Sequence, residues 1–132
     1  MANVKLGTKA VGSIVKIKVN GASKDFIVVQ QGNPNTSTYD SSCNGTWLLM
    51  KDIYTTSTFG NNNSYKDSSI HTYLNGTFYN LIDSNIRAAI KQVKIPYQNG
   101  TGSGGSLATG SNGLSTKVFL LSGYEVGWTT SD

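Results

Sequence analysis

The chain has 132 residues, room for one domain and one modest core, because a chain of this size buries only about two-thirds of its unfolded surface. Charged residues make up 14 %, against about a quarter in ordinary soluble domains, while Gly, Ser, Thr and Asn together reach about 44 %. The net charge of +4 at pH 7 comes from lysines scattered along the chain, such as Lys16, Lys18, Lys24, Lys51, Lys66, Lys91, Lys94 and Lys117, whereas a nucleic-acid partner needs a basic patch with interleaved aromatics, so no nucleic acid is expected.

Residues 1–10 read as an N-terminal arm without the charged-then-apolar profile of a signal peptide, and no run approaches the roughly 20 apolar residues of a membrane span. Synthesis in the cytoplasm and no membrane partner are therefore expected. From Val11 to Gln31, Val15, Ile17 and Val19 alternate with Lys16 and Lys18, the pattern of a strand with one buried face. Asn20 and Gly21 open a turn, and Phe26 to Gln30 is rich in β-formers, so the stretch predicts a β-hairpin at the N-terminal edge of a sheet. A polar loop punctuated by Gly32, Pro34 and Gly45 follows. Trp47 to Asp52 is almost wholly apolar, as a central strand covered on both faces would be.

Ile53 to Lys66 is a Thr/Asn-rich excursion that carries Tyr54, Phe59 and Tyr65. Asp67, Ser68 and Ser69 offer capping groups to a helix whose Ile70, Tyr73, Leu74, Phe78 and Leu81 fall on one stripe, although Gly76 weakens it. Asp83 is placed to cap a second helix with Ile86, Ala89, Ile90 and Val93 on one face, and Pro96 ends what precedes it, leaving Val93 to Tyr97 extended. Residues 99–113 read as a flexible Gly/Ser loop too polar to pack, and Val118 to Leu121 as a last buried strand. The expected fold class is α+β: a single domain over 1–132 with a small mixed, mainly antiparallel sheet, an N-terminal β-hairpin and two short helices.

Groups that carry chemistry are sparse. Cys43 is the only cysteine, so neither an internal disulfide nor a structural zinc is expected. His71 is the only histidine, and a Cys43–His71 nucleophilic pair has no local support. Gly100, Gly102 and Gly105 satisfy G-x-G-x-x-G with Glu125 downstream, but SLATGSNG follows where a dinucleotide site needs a helix, so no cofactor is expected. Ser122 lacks the G-x-S-x-G elbow. Asp67 and Asp83 read as helix caps, and no spacing pairs Asp25, Asp40, Asp52 or Glu125 as glycoside hydrolysis requires. No D-x-D-x-D-G series marks a calcium loop, and no metal ligands are assigned.

The candidate binding residues are aromatic and amide. Tyr54, Phe59 and Tyr65 would stack on sugar faces while Asn61, Asn62 and Asn63 hydrogen-bond hydroxyls, since such side chains give contact area and adaptable polar groups at low entropic cost. The competing reading is that these rings cover the helix pair.

The segments WLLMKDIY, SSIHTYLNGTFYNLI, IRAAIKQVKIPY and VFLLSGYEVG resemble an uncharacterised domain family common in phage tail-region proteins and in surface proteins of Gram-positive bacteria. The resemblance runs from about Val11 to Trp128. It implies a C-type-lectin-like fold, distantly similar to sulfatase-modifying enzymes and phage tropism determinants, and it transfers no catalytic residue. Family members continue past the EVG segment into W-W-L-R-S and I-R-P stretches that this sequence does not contain, so the fold is expected to be incomplete at its C-terminus. On this resemblance the chain is a phage or phage-derived tail-associated protein that acts by binding rather than catalysis and ends up in the virion. Its expected partners are other tail or virion proteins, a host cell-surface glycan and copies of itself. The alternatives are a purely structural virion component and an enzyme that degrades cell-wall polysaccharide.

Overall fold

Alternating apolar and basic residues build the first strand of the computed structural model, which describes residues 5–60, 64–99 and 106–121. In β1 (Ile14–Val19), Ile17 and Val19 are buried while Lys16 and Lys18 face outward. Asn20 (φ 52°) and Gly21 (φ 77°) both take left-handed backbone, as a two-residue type I′ turn demands, and β2 (Ala22–Gln31) returns antiparallel. Register sets Lys16 opposite Asp25, and their side chains form a 2.8 Å ion pair that holds the Asp25 carboxyl below its usual range.

β3 (Thr46–Met50) pairs with the far side of β2, giving a three-stranded antiparallel sheet in the order β1-β2-β3. The strand expected at the centre therefore stands at an edge, and Leu49 is 37 % exposed. Its apolar run arises differently: Leu48 and Met50 pack on one core and Trp47 on another, because successive side chains of a strand point to opposite faces.

The remaining strands form two separate antiparallel ribbons rather than extending this sheet. β4 (Val93–Ile95) pairs with β7 (Leu114–Thr116), and β5 (Tyr97–Asn99) with β6 (Ser106–Ala108). Two expectations are corrected. Residues 106–113 of the polar stretch contain β6 and a 3-10 turn at Gly110–Asn112, ordered by backbone pairing that needs no apolar side chains, while 100–105 lie outside the described residues; Gly110 N donates to Thr38 O at 2.9 Å. Among the described residues the last strand lies at Leu114–Thr116 and not at Val118 to Leu121, where Leu120 and Leu121 are exposed. Both backbone polar groups of Val118 bond to the side chain of Asn75, so they are not available to a sheet.

The predicted helix over the Ile70 stripe forms as α1 (Ser69–Tyr73), a π-helical turn (Leu74–Phe78) and α2 (Tyr79–Leu81). Ser68 is the cap: its Oγ accepts from His71 N at 3.2 Å and donates to Tyr65 O at 2.6 Å. The second helix is shorter than the periodicity implied. α3 spans Ser84–Arg87, the Asp83 side chain makes no cap bond, and Val93 belongs to β4. Asp83 is held instead by its main chain, with N donating to Lys18 O at 3.0 Å while its carbonyl receives Ile86 N and Arg87 N. Asn20 N donates to Leu81 O at 2.7 Å, and Val19 bridges Ile82, so the hairpin satisfies the C-terminal end of α2.

Two cores result. Ile17, Val19, Phe78 and Ile82 are buried in the first, with Tyr54, Leu48, Met50, Ile86 and Ile90 packed against them. Tyr39, Cys43 and Ile95 form the second, where Trp47 meets Tyr39 and Phe119 edge-on at 5.5 and 5.4 Å. The architecture is α+β with antiparallel pairing throughout the described strands. Among the described residues no helix is long and apolar enough to cross a membrane.

Candidate functional site

Helix α1 and its π-helical continuation face the segment from Ser115 to Val118, and between them runs an open groove of about 240 Å³. His71, Asn75, Tyr79, Gln92, Ser115, Thr116 and Lys117 line it. The π turn carries Asn75, whose carboxamide clasps the opposite wall. Both Nδ2 hydrogens are used, donated to His71 O at 3.1 Å and Val118 O at 2.9 Å, and Oδ1 accepts from Lys117 N at 2.8 Å and Val118 N at 3.1 Å. Thr116 Oγ1, nearly enclosed, lies 3.1 Å from the same Oδ1 and 2.9 Å from Val118 O. A π turn widens the helix by one residue and is frequent at functional sites. Here it lets one short side chain behave as a peptide unit toward Val118.

Lys117 and Tyr79 form the charged end of the groove. Lys117 Nζ lies 4.8 Å from the Tyr79 ring centroid and donates to Tyr79 Oη at 3.2 Å, while Tyr79 Oη donates to Arg87 O at 3.2 Å. At the other end, burial pushes the His71 pKa down, with Asp67 opposing weakly, so the ring is neutral at pH 7. Its Nδ1 lies 3.4 Å from Asn75 Nδ2.

From His71 a row of rings leads away from the groove. Tyr65 meets His71 edge-on at 5.2 Å, and Phe59 lies tilted 6.5 Å from Tyr65. Leu120 N donates to Tyr65 Oη at 3.1 Å, and Ser69 N to Phe59 O at 2.9 Å, so both rings hang on fixed main chain. Gly60 follows at φ 105°, where a Cβ would stand 2.9 Å from Ser69 Oγ, and the positive φ itself strains any larger residue. Phe59 remains 42 % exposed.

The structure brings Phe59 and Tyr65 together and sends Tyr54 elsewhere. The Tyr54 ring packs edge-on against buried Phe78 at 5.2 Å and borders a small hollow of about 60 Å³ with Lys24, Asp25, Met50, Asp52 and Ile53. Asn61, Asn62 and Asn63 lie outside the described residues, as do Ser122, Glu125, and Gly100, Gly102 and Gly105 of the glycine-rich stretch. Cys43 and His71 do not meet. The Cys43 thiol is buried in the second core, donates to Lys94 O at 3.2 Å, and has its pKa raised by burial. Asp40 caps the 3-10 turn Ser41–Cys43 by accepting from Ser42 N at 3.0 Å. Among the described residues no cluster of three or more His, Cys, Asp or Glu could hold a metal ion.

The sequence pattern did not single out Asn75, Tyr79, Gln92, Ser115 or Lys117. One signal was available: Asn75 and Gly76 are both poor helix formers placed mid-helix, a local conflict that marks a site of strain or function.

No curated protein and no solved structure matches the chain. A family model described as a domain of unknown function (DUF6273) matches residues 44–132. That stretch holds the ring row, the whole groove and both helices, and leaves out β1 and β2. Since it covers well over half of the chain, the protein belongs to the DUF6273 family.

Proposed function

We propose that this protein binds a host cell-surface glycan without catalysis, through the ring row Phe59, Tyr65 and His71 and the polar groove into which that row leads. The juxtaposition of a row of tilted and edge-on rings with amide and hydroxyl groups carries the reading. Sugars present apolar C–H faces beside hydroxyl edges, and a site that fits them needs an aromatic surface next to fixed donors and acceptors. Tyr65 and Asn75 are held by main-chain bonds in advance, which reduces the ordering cost of binding. The wider setting, a phage or phage-derived tail-associated protein with a C-type-lectin-like fold and other virion proteins as partners, rests on the resemblance, from about Val11 to Trp128, to phage tail-region domains.

The test is binding of fluorescently labelled, folded protein to intact Gram-positive cells and isolated wall glycans. Phe59→Ala with Tyr65→Ala is expected to weaken binding by about ten- to a hundredfold, since each stacked ring contributes about 1 kcal/mol or more. Tyr54→Phe, which keeps the contact with Phe78, should bind as the parent does. Saturable binding unaffected by loss of both rings would remove the site from this surface.

Self-association belongs to the same proposal. Among the described residues β1 is an edge strand joined on its outer side through Val19 and its neighbours, and Ile14 at its start is 48 % exposed, which favours pairing with a second copy. Light scattering should report a stable oligomer at micromolar concentration. A folded, dilute monomer would defeat the assembly part of the proposal and leave glycan binding standing.

A further inference from the structure

We infer that the groove selects an anionic saccharide, with the Lys117 ammonium receiving a carboxylate or phosphate carried on the sugar; this rests on the glycan reading above. An ammonium has three donors. Tyr79 Oη takes one of them, and because that oxygen's own hydrogen goes to Arg87 O, its lone pair is held toward Lys117. The ring face of Tyr79 supports the cation at 4.8 Å. Among the described residues the ion pair formed is Lys16–Asp25, and the charge of Lys117 rests on a ring and a phenol oxygen. A charge-assisted bond to an anion is stronger than either contact.

The position is built. Lys117 N is fixed to Asn75 Oδ1 at 2.8 Å, and the neighbouring Val118 is held at both its polar atoms, so the main chain beneath the lysine is clamped before any ligand arrives. Gln92 and Ser115 are exposed on the same groove and offer an amide and a hydroxyl to ring hydroxyls. His71 is neutral at pH 7, so Lys117 is the cation among the groove residues. The volume, about 240 Å³, falls below the roughly 300–1,000 Å³ of sites for drug-sized ligands and suits one unit of a polymer rather than a large isolated molecule.

Calorimetric titration of the full chain with three probes tests the inference: hyaluronan oligosaccharides for the carboxylate, phosphomannan oligosaccharides for the phosphate, and chitin oligosaccharides as the neutral reference. At low salt one acidic probe should bind at least about tenfold more tightly than the neutral one, with an advantage that shrinks as ionic strength rises. Lys117→Gln should lose about tenfold for the acidic probe and flatten its salt dependence, and Lys117→Arg should retain most of the affinity. Which acidic probe binds identifies the source of the charge. The salt dependence is read on the unaltered protein and stands even where a variant misfolds. Equal binding of neutral and acidic probes, without salt dependence, overturns the anionic selectivity and leaves the glycan reading intact. Binding to none of the three overturns both.

Discussion

A fragment that spans residues 44–132, the stretch shared with the family, is expected to remain unfolded in isolation. It retains β3 but removes β1 and β2, the strands with which β3 is assembled into a sheet among the described residues. With them go Ile17, Val19 and Val28, which are 5 %, 0 % and 0 % exposed. Burial of three such side chains stabilises by about 5–9 kcal/mol, comparable with the whole of the roughly 5–15 kcal/mol that holds a typical domain. The hairpin also supplies polar partners: Asn20 N satisfies Leu81 O, and Lys18 O receives Asp83 N. Proton NMR of the fragment should show collapsed amide dispersion, and addition of a peptide covering residues 5–43 should recover part of it. A well-dispersed spectrum from the fragment alone, with a cooperative thermal transition near that of the full chain, would show that the hairpin is an appendage rather than half of the first core.

Asn75→Asp is expected to cost about 2–4 kcal/mol and to lower Tm by roughly 10 °C. The substitution changes almost no volume. It replaces Nδ2, which donates to His71 O and Val118 O, with an oxygen aimed at two carbonyl oxygens, and it puts a negative charge in a half-enclosed site. The loss should open the groove, because Asn75 is what holds Lys117 and Val118 against the helix. The carboxyl introduced there would be disfavoured in its charged form, so its folded pKa is raised above the unfolded value. The linkage sign follows. The folded state then binds the proton more tightly than the unfolded state, and the penalty relative to the parent should shrink as pH falls through the carboxyl range. Urea denaturation of both proteins at pH 7 and pH 4 measures the difference. An unchanged midpoint at pH 7, or a penalty that grows toward pH 4, would contradict the role assigned to the clasp.

The two variants probe different levels of the structure. Removal of the hairpin acts on the first core through lost burial, whereas Asn75→Asp leaves Ile17, Val19, Phe78 and Ile82 in place and acts on the wall of the site. A protein that tolerated the second but not the first would have a groove held by something other than Asn75, and the Lys117 experiment would then need to be interpreted without a fixed lysine.

What the sequence determined by itself was local. Strict alternation from Val15 to Val19 and the Asn20-Gly21 pair were enough for the hairpin and its register, because a period of two and a positive-φ turn admit few other structures. Ser68 ahead of the Ile70 stripe was enough for the start of the helix. The α+β class followed from these pieces. Only the tertiary structure decided the rest, because it depends on partners distant in the chain. β7 sits at Leu114–Thr116 because β4 pairs there, and because Asn75, 43 residues away in sequence, occupies the backbone of Val118. β3 is an edge strand because, among the described residues, its outer side faces no further strand, a fact that its own apolar run does not contain. Three rings in one polar stretch looked equivalent, yet Phe78 draws Tyr54 toward the core while main-chain bonds from Ser69 and Leu120 anchor Phe59 and Tyr65 beside His71. Lys117 read as one more scattered lysine until the fold set its ammonium over Tyr79, since a charge acquires a role from the groups that face it and not from its neighbours in sequence.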